Sequence, residues 1–439
     1  MSAIGIILSV IILSILIIVH EFGHYIVAKK NGVLVKEFAI GFGPKIVSWG
    51  KGETVFCIKA IPFGGSCRML GALEDDTDED EEVDEERSFE KKSVWARMSI
   101  ILAGPFFNFL LAFFCAVIYI GTMGYDPATV TYVEEGSPAY DAGLREGDVI
   151  TNYGGAAVDF GRDIYVENYI HPVTSEKPIS VSWTRDGETY SASITPEEYT
   201  YYSIGISYYA NNEAAEIAEL TEGSAGENAG LREGDVITMV NGVEISTGED
   251  LSQFFTDYEV TSDPISITFE RKGVEKSVEI QPVAKDAYKI GIQYNTDNVK
   301  TDAIGVLKYS FCEMRYQITS VFKSLGYLFS GQGSLDMVSG PVGIVQIVGE
   351  TYDASVSLGF VTTLMNILSI MMLLSANLGV INLLPLPVLD GGKFILLVIE
   401  AIRKKPLNKK YEGIVTVIFA VLLLLFCAVV LVNDITKFF

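Results

Sequence analysis

Two of the three histidines in this chain stand four residues apart with a glutamate between them, His20-Glu21-Phe22-Gly23-His24. On a helix, positions i and i+4 share a face, so both imidazoles can reach one zinc ion while the glutamate reaches a water held there. That arrangement hydrolyses peptide bonds. From Ile4 to Val19 the polar side chains are Ser9 and Ser14 alone, and apolar residues resume at Tyr25. A charged side chain in hydrocarbon costs roughly 2.5–3.5 kcal/mol on insertion scales, so an ionisable cluster there is a functional site by default. The start, Met1-Ser2-Ala3, lacks the basic residues of a secretion signal, and the run reads as a membrane span.

The elements that must hold these residues are helices in a bilayer. Four spans are expected: Ile4–Ala28, Ser99–Gly121, a long apolar stretch from about Ser355 to Ile402 broken in its middle, and Val415–Val432. The break falls at Asn382-Leu383-Leu384-Pro385-Leu386-Pro387, where the backbone at membrane depth needs protein or a water-filled cavity to satisfy it. Lys and Arg gather after the first span (Lys29, Lys30, Lys36, Lys45) and before the last (Arg403, Lys404, Lys405, Lys409, Lys410), so both segments read as cytoplasmic.

The region between spans two and three is acidic. From Asp126 to Lys300 there are 32 acids against 11 bases, most of the chain's net charge of −24, which disfavours nucleic acid and anionic lipid as its partners. Its decapeptide Ala142–Thr151 recurs unchanged as Ala229–Thr238, an offset of 87 residues that marks tandem copies of a small domain. No cysteine falls in this region, so no disulfide framework supports it; His171 reads as an ordinary residue. A second acidic run, Glu74–Glu86, reads as a solvated tether rather than a docking or ion-binding site.

Two histidines leave the zinc set short of a ligand. Glu400 and Asp434 lie near span ends and have the interface as an alternative environment. Asp390, in Leu389-Asp390-Gly391-Gly392 beside the helix break, does not; a carboxylate there needs a cation.

Taken together, the chain resembles the site-2 protease family of intramembrane zinc metalloproteases, in its bacterial RseP-like branch. The resemblance rests on His20–His24, Asn382–Gly391, Ala103-Gly104-Pro105-Phe106-Phe107-Asn108-Phe109 and Gly41-Phe42-Gly43-Pro44, and it covers nearly the whole chain. The repeated domains resemble PDZ domains, which bind extended peptide ends along a sheet edge. Their ligand loops would be Ile204-Gly205-Ile206 and Ile290-Gly291-Ile292, with the copy each serves left open; steric filtering without peptide binding is an equal alternative.

The resemblance implies an α-helical multi-pass protein of the bacterial plasma membrane with four transmembrane segments, a cytoplasmic-side membrane-associated β-hairpin and two inserted extracytoplasmic PDZ-like domains. Its expected parts are 1–125 (spans one and two with the hairpin), 126–207 and 208–300 (the two copies), 301–350 (a juxtamembrane amphipathic helix) and 351–439 (spans three and four). It implies that His20, His24 and Asp390 hold Zn2+ toward the cytoplasmic side, with Glu21 as general base. Asn382, in the unwound stretch, could hold the substrate backbone or oxyanion, or merely cap the helix; Asn377 is a weaker candidate. Thr54–Ile61 is expected to offer an exposed strand edge to an unwound substrate, with Gly64 and Gly65 permitting close backbone approach. Ile304, Leu307, Phe311, Met314, Ile318, Val321, Leu325 and Leu328 form the stripe of an amphipathic helix expected to lie on the outer membrane surface, with packing alone an equal explanation of the stripe. The implied substrates are single-span proteins, anti-sigma factor-like or remnant signal peptides. The rivals are a non-catalytic PDZ scaffold and a membrane metallopeptidase of another family; Glu21 argues against the first, and Leu-Asp-Gly with the repeat against the second.

Overall fold

A computed structural model describes residues 3–50, 52–72, 85–174, 177–210, 214–295, 297–331, 333, 338–406 and 408–436. The acidic run at 74–84 lies outside them. The chain divides into two units, Met1–Pro127 with Thr296–Phe439, and Ala128–Asn295.

The first unit holds seven helices that concern the site: α1 (Ala3–Lys30), α2 (Val94–Met123), α3 (Ala303–Phe329), α4 (Pro341–Val356), α5 (Phe360–Asn382), α6 (Asp390–Arg403) and α7 (Lys409–Thr436). Four are long and apolar enough to cross a membrane: Ile4–Lys30, Val94–Met123, Phe360–Asn382 and Lys410–Thr436. Three expected spans lie whole within them; of the apolar stretch from about Ser355 to Ile402, only Phe360–Asn382 is long enough to cross, and the part past the break is the shorter α6. Their large side chains facing outward, such as Ile7, Phe106, Leu424 and Val432, are what lipid contact requires.

Between α1 and α2 lie two long bent strands, β1 (Val35–Trp49) and β2 (Val55–Met69). Each folds on itself, so four strand segments form. Residues 37–40 pair with 65–68 on one side and with 55–58 on the other, and 55–58 also pair with 47–49. Thr54–Ile61 is therefore no open edge over Val55–Ile58, contrary to expectation, because bends near Gly41 and Ile61 fold both strands back. The edge segments are 42–49 and 65–69. Glu37, 4% exposed, ties three segments through Lys45 at 2.5 Å and Lys59 at 2.9 Å. Burial pushes its carboxyl up, but the two ammonium groups outweigh burial and hold its pKa below the usual value.

Helix α3 divides its apolar stripe between packing and exposure. Met314 and Ile318 pack with Ala112, Cys115, Met372 and Ala376, while Ser310, Glu313 and Gln317 are buried and Ile304, Leu307 and Phe311 are exposed. Its inner face is mixed, with Ser310, Glu313 and Gln317 buried beside Met314. Gln317 Nε2 donates to Glu313 Oε1 at 2.8 Å.

The second unit contains two similar lobes. One has strand order 156–157, 149–153, 179–185, 188–194; the other has 243–244, 236–240, 265–271, 274–280. Each has its own apolar core, around Trp183 and Phe269 respectively. The lobes exchange a strand. Ile206–Tyr208 pairs with Ile217–Leu220 of the second lobe, and Ile292–Tyr294 returns to pair with Val130–Val133 of the first. Ile290 joins the first core and Ile204 the second. The expected boundary between 207 and 208 thus falls inside a strand of the second lobe.

The repeated decapeptide owes its sequence to a turn. Asp148 and Asp235, 0% and 1% exposed, each accept a bond at 2.8 Å from the backbone N–H of the arginine three residues before. Each also takes two bonds, at 2.6 and 2.7 Å, from a strand arginine, Arg185 or Arg271. Removing the guanidinium strands a buried carboxylate. Arg271→Gln should destabilise the second lobe by roughly 3 kcal/mol, the low end for a broken buried pair because the guanidinium is partly exposed. Hydrogen exchange of residues 236–280 in the full chain would show it, and unchanged protection would refute it.

Candidate active site

Helix α1 places His20 and His24 one turn apart, 9% and 8% exposed. Helix α2 crosses them closely because two glycines meet there. A Cβ on Gly23 would lie 2.4 Å from Ala103 O, and one on Gly104 would lie 2.4 Å from His24 Nε2. Gly104 leaves the room the imidazoles occupy.

The third element is the break between α5 and α6. After Asn382 the chain runs through short turns, with Leu383 N–H donating to Val380 O, Leu386 N–H to Leu384 O, and Leu389 N–H to Leu386 O. Helix then restarts at Asp390. Gly391 and Gly392 allow the fold-back, since a Cβ on either would lie within 2.2 Å of the Leu383 or Leu386 carbonyl oxygen. The break thus delivers a carboxylate to the first turn of a helix, where the N-terminal dipole favours negative charge.

Asp390 Oδ2 lies 3.2 Å from His20 Nε2 and 3.3 Å from His24 Nε2, and the two Nε2 atoms are 3.2 Å apart. Ligands at about 2.0–2.1 Å in tetrahedral geometry stand about 3.3 Å from one another. The three atoms therefore outline one face of a zinc tetrahedron. Asp390 Oδ2 is also buried without a hydrogen bond, as expected of an oxygen shaped for a cation. These residues fit zinc.

The outer nitrogens decide which tautomers are present. His24 Nδ1 is 2.9 Å from Ile100 O, so it carries the proton and leaves Nε2 as a lone pair. His20 Nδ1 is 3.1 Å from the amide of fully buried Asn108, whose Oδ1 has no hydrogen-bond partner. Exchanging the two ends of that amide lets Oδ1 accept from Nδ1–H and frees His20 Nε2 in the same way. Sequence reasoning gave Asn108 no role. Its signal was available, as an amide between two phenylalanines in an apolar span.

Glu21, half-buried, touches the sheet. A Cβ on Gly65 would lie 3.1 Å from Glu21 Cγ, and one on Gly64 (φ +95°) would overlap the Phe42 ring. The edge segment beginning at Gly65 therefore starts at the glutamate. Asn382 ends α5 half-buried, and Asn377 has a buried Oδ1 without a partner. Gly291 packs on Ser137 of the first lobe and Gly205 on Ser224 of the second, so the glycine loops serve the lobes crosswise.

A buried triad that could hold a metal ion, with an adjacent glutamate, two of its members on a helix long enough to span a bilayer and the third just past the end of another, fits a membrane-embedded metallopeptidase. The chain belongs to peptidase family M50, which it matches over residues 8–426. It is similar to zinc metalloprotease RasP of Shouchella clausii (32% identical over 98% of each chain) and of Geobacillus kaustophilus (30% over 99% of this chain and 98% of the relative). It is also similar to the regulator of sigma-W protease RasP of Bacillus subtilis (29% over 98% of each). Among solved structures, the HtrA3 PDZ domain bound to a phage-derived ligand matches 21% of this chain and 93% of its own at 18% identity, with a TM-score of 0.18 that carries no argument. The protein is an intramembrane zinc metalloprotease of regulated proteolysis.

Asn108 gives the site a test independent of catalysis. Asn108→Ala should weaken zinc binding by about 10–100-fold, the usual effect of removing a ligand's orienting partner. Chelator competition on the purified protein measures it, and unchanged affinity would remove Asn108 from the site.

Proposed function

We propose that this protease cleaves the transmembrane segments of single-span proteins, anti-sigma factor-like proteins and remnant signal peptides among them. One observation carries the reading: Asp390, just past the break that ends α5, converges with His20 and His24 of α1 beside Glu21, and both α1 and α5 are long and apolar enough to span a bilayer. In this reading those three residues hold the zinc. When bound, zinc polarises the scissile carbonyl and makes water nucleophilic near neutral pH. Glu21 takes the proton from the attacking water and passes it to the leaving amine. Asn377 Oδ1 accepts a substrate backbone N–H, and the Asn382 amide donates to the carbonyl as charge develops on its oxygen. A helical substrate hides its peptide bonds, so it must be unwound first. The free edge beginning at Gly65 holds it extended next to Glu21, with Gly64 and Gly65 leaving room for its backbone.

The Lys and Arg pattern supports a bacterial plasma-membrane protein with the zinc site and β-sheet toward the cytoplasm and the acidic insert outside. The two lobes are PDZ domains, with Gly291 and Gly205 in the peptide-facing loops of the first and second, and they act as a size filter that rejects substrates with bulky outer domains. The name of the Bacillus subtilis relative, a regulator of sigma-W, supports the anti-sigma class.

Co-expression with candidate single-span proteins tests the chemistry. Glu21→Gln should abolish the intramembrane cut while zinc content stays at the intact level; persisting cleavage would sink the assignment. The filter has its own test. Deleting Asp126–Lys300 should allow cleavage of substrates that still carry their outer domains, and no gain in premature cleavage would overturn it.

A further inference from the structure

We propose that the groove between α2 and α6 is a binding site for one anionic phospholipid, its acyl chain lying between the helices and its phosphate held by Lys404 and Lys405. The groove encloses about 580 Å³ and is lined by apolar side chains, among them Trp95, Met98, Leu102, Phe394, Val398 and Ile402. A second hollow, lined by Lys404, Lys405 and Pro406, shares Trp95 and Ala401 with it, so the apolar slot opens onto a basic mouth.

Charge complementarity selects the occupant. Helix α6 ends at Arg403, and Lys404 adopts a left-handed conformation (φ 54°) that turns the chain across the mouth. The acid at the mouth, Glu400, is engaged elsewhere: Arg97 holds it at 2.5 and 3.3 Å, and both partners are largely buried. The two ammonium groups are exposed and face no acid other than this neutralised one among the described residues lining the hollow. A substrate helix or a second copy of the chain would fill an apolar slot equally well but would leave that charge unused. Trp95 and Ile402, 74% and 77% exposed, flank the opening as interfacial anchors do. Basic pockets between membrane helices are where anionic headgroups bind.

The floor of the slot is the contact that positions the site. Met98 and Ile101 of α2 pack on Leu397 of α6, and α6 begins with Asp390. A lipid seated there braces the helix that presents the carboxylate. The inference needs only that α2 crosses a membrane with α6 packed beside it, not the proteolytic reading.

Native mass spectrometry of the purified full chain, offered phosphatidylglycerol or phosphatidylcholine with the same acyl chains, tests it. One phosphatidylglycerol should be retained in preference. In Lys404→Gln/Lys405→Gln the preference should fall by about tenfold or more, since each lysine near an anionic headgroup favours binding several-fold. Val398→Trp, which fills the slot and leaves both lysines, should also lose the lipid. Equal retention of the two lipids overturns the site. So does a preference that survives the double lysine variant, which leaves the fold untouched. If Val398→Trp keeps the preference, the lysines collect lipid without the groove, and a lipid-free dimer sealing the slot would make the occupant a second copy.

Discussion

Everything in the membrane unit depends on bringing two imidazoles and a carboxylate within about a hydrogen-bond length of one another in a largely buried, apolar setting. The ring nitrogens that point away from the triangle must be satisfied by protein, and they are, by Ile100 O and by Asn108. Close approach must be bought with missing side chains, at Gly23 and Gly104 where α1 meets α2, and at Gly391 and Gly392 where the chain doubles back. The interior helix break is the remaining cost. It is met by short turns in the Leu383–Leu389 backbone, and it places Asp390 on a helix N-terminus instead of mid-helix.

The same constraint explains why the site is wrapped rather than open. Ser375 Oγ donates to the Asn108 carbonyl at 2.8 Å, so α5 is pinned to α2 at the residue that orients His20. Buried polar networks of this kind hold only when each member is satisfied. The sheet then closes the side of α1 that the helices leave free. Gly65 rests against the Glu21 stem, while Tyr25, one turn further on, packs its ring on Phe38 and Phe56. The glutamate is thus placed by a helix on one side and a strand on the other.

What the sequence made legible follows from how costly each residue is. His20, Glu21, His24 and Asp390 announce themselves because ionisable groups in apolar runs have few benign explanations. Asn108 did not, because a neutral amide in a span has several. Helix α3 was legible only in part: its apolar stripe marked an amphipathic helix, but the stripe did not show that Met314 and Ile318 pack inward while Ile304, Leu307 and Phe311 stay exposed. Ser310, Glu313 and Gln317 are also buried. The sheet edge was illegible because bends at Gly41 and Ile61 turn two strands into four pairings, and no local pattern fixes which segments lie outside.

The strand exchange in the insert was hidden by the repeat itself. Ile204-Gly205-Ile206 and Ile290-Gly291-Ile292 are nearly the same segment, so either could complete either lobe. Chain geometry decides. The return of Ile292–Tyr294 to Val130–Val133 brings the last strand of the insert beside its first, and Tyr125 and Val299 then pair through both of their backbone groups. The strands Glu197–Ser203 and Val283–Lys289, which lead into the two exchanged segments, run antiparallel as a ribbon. The second lobe's core and strands all lie between Ile204 and Ile280, whereas the first takes Ile290 and Ile292–Tyr294 from beyond them, so the first lobe has no complete sheet without the far end of the insert and the second is nested inside it. The ends of the insert are therefore adjacent, and that is the form in which a chain can carry a two-lobed domain between two helices without pulling them apart.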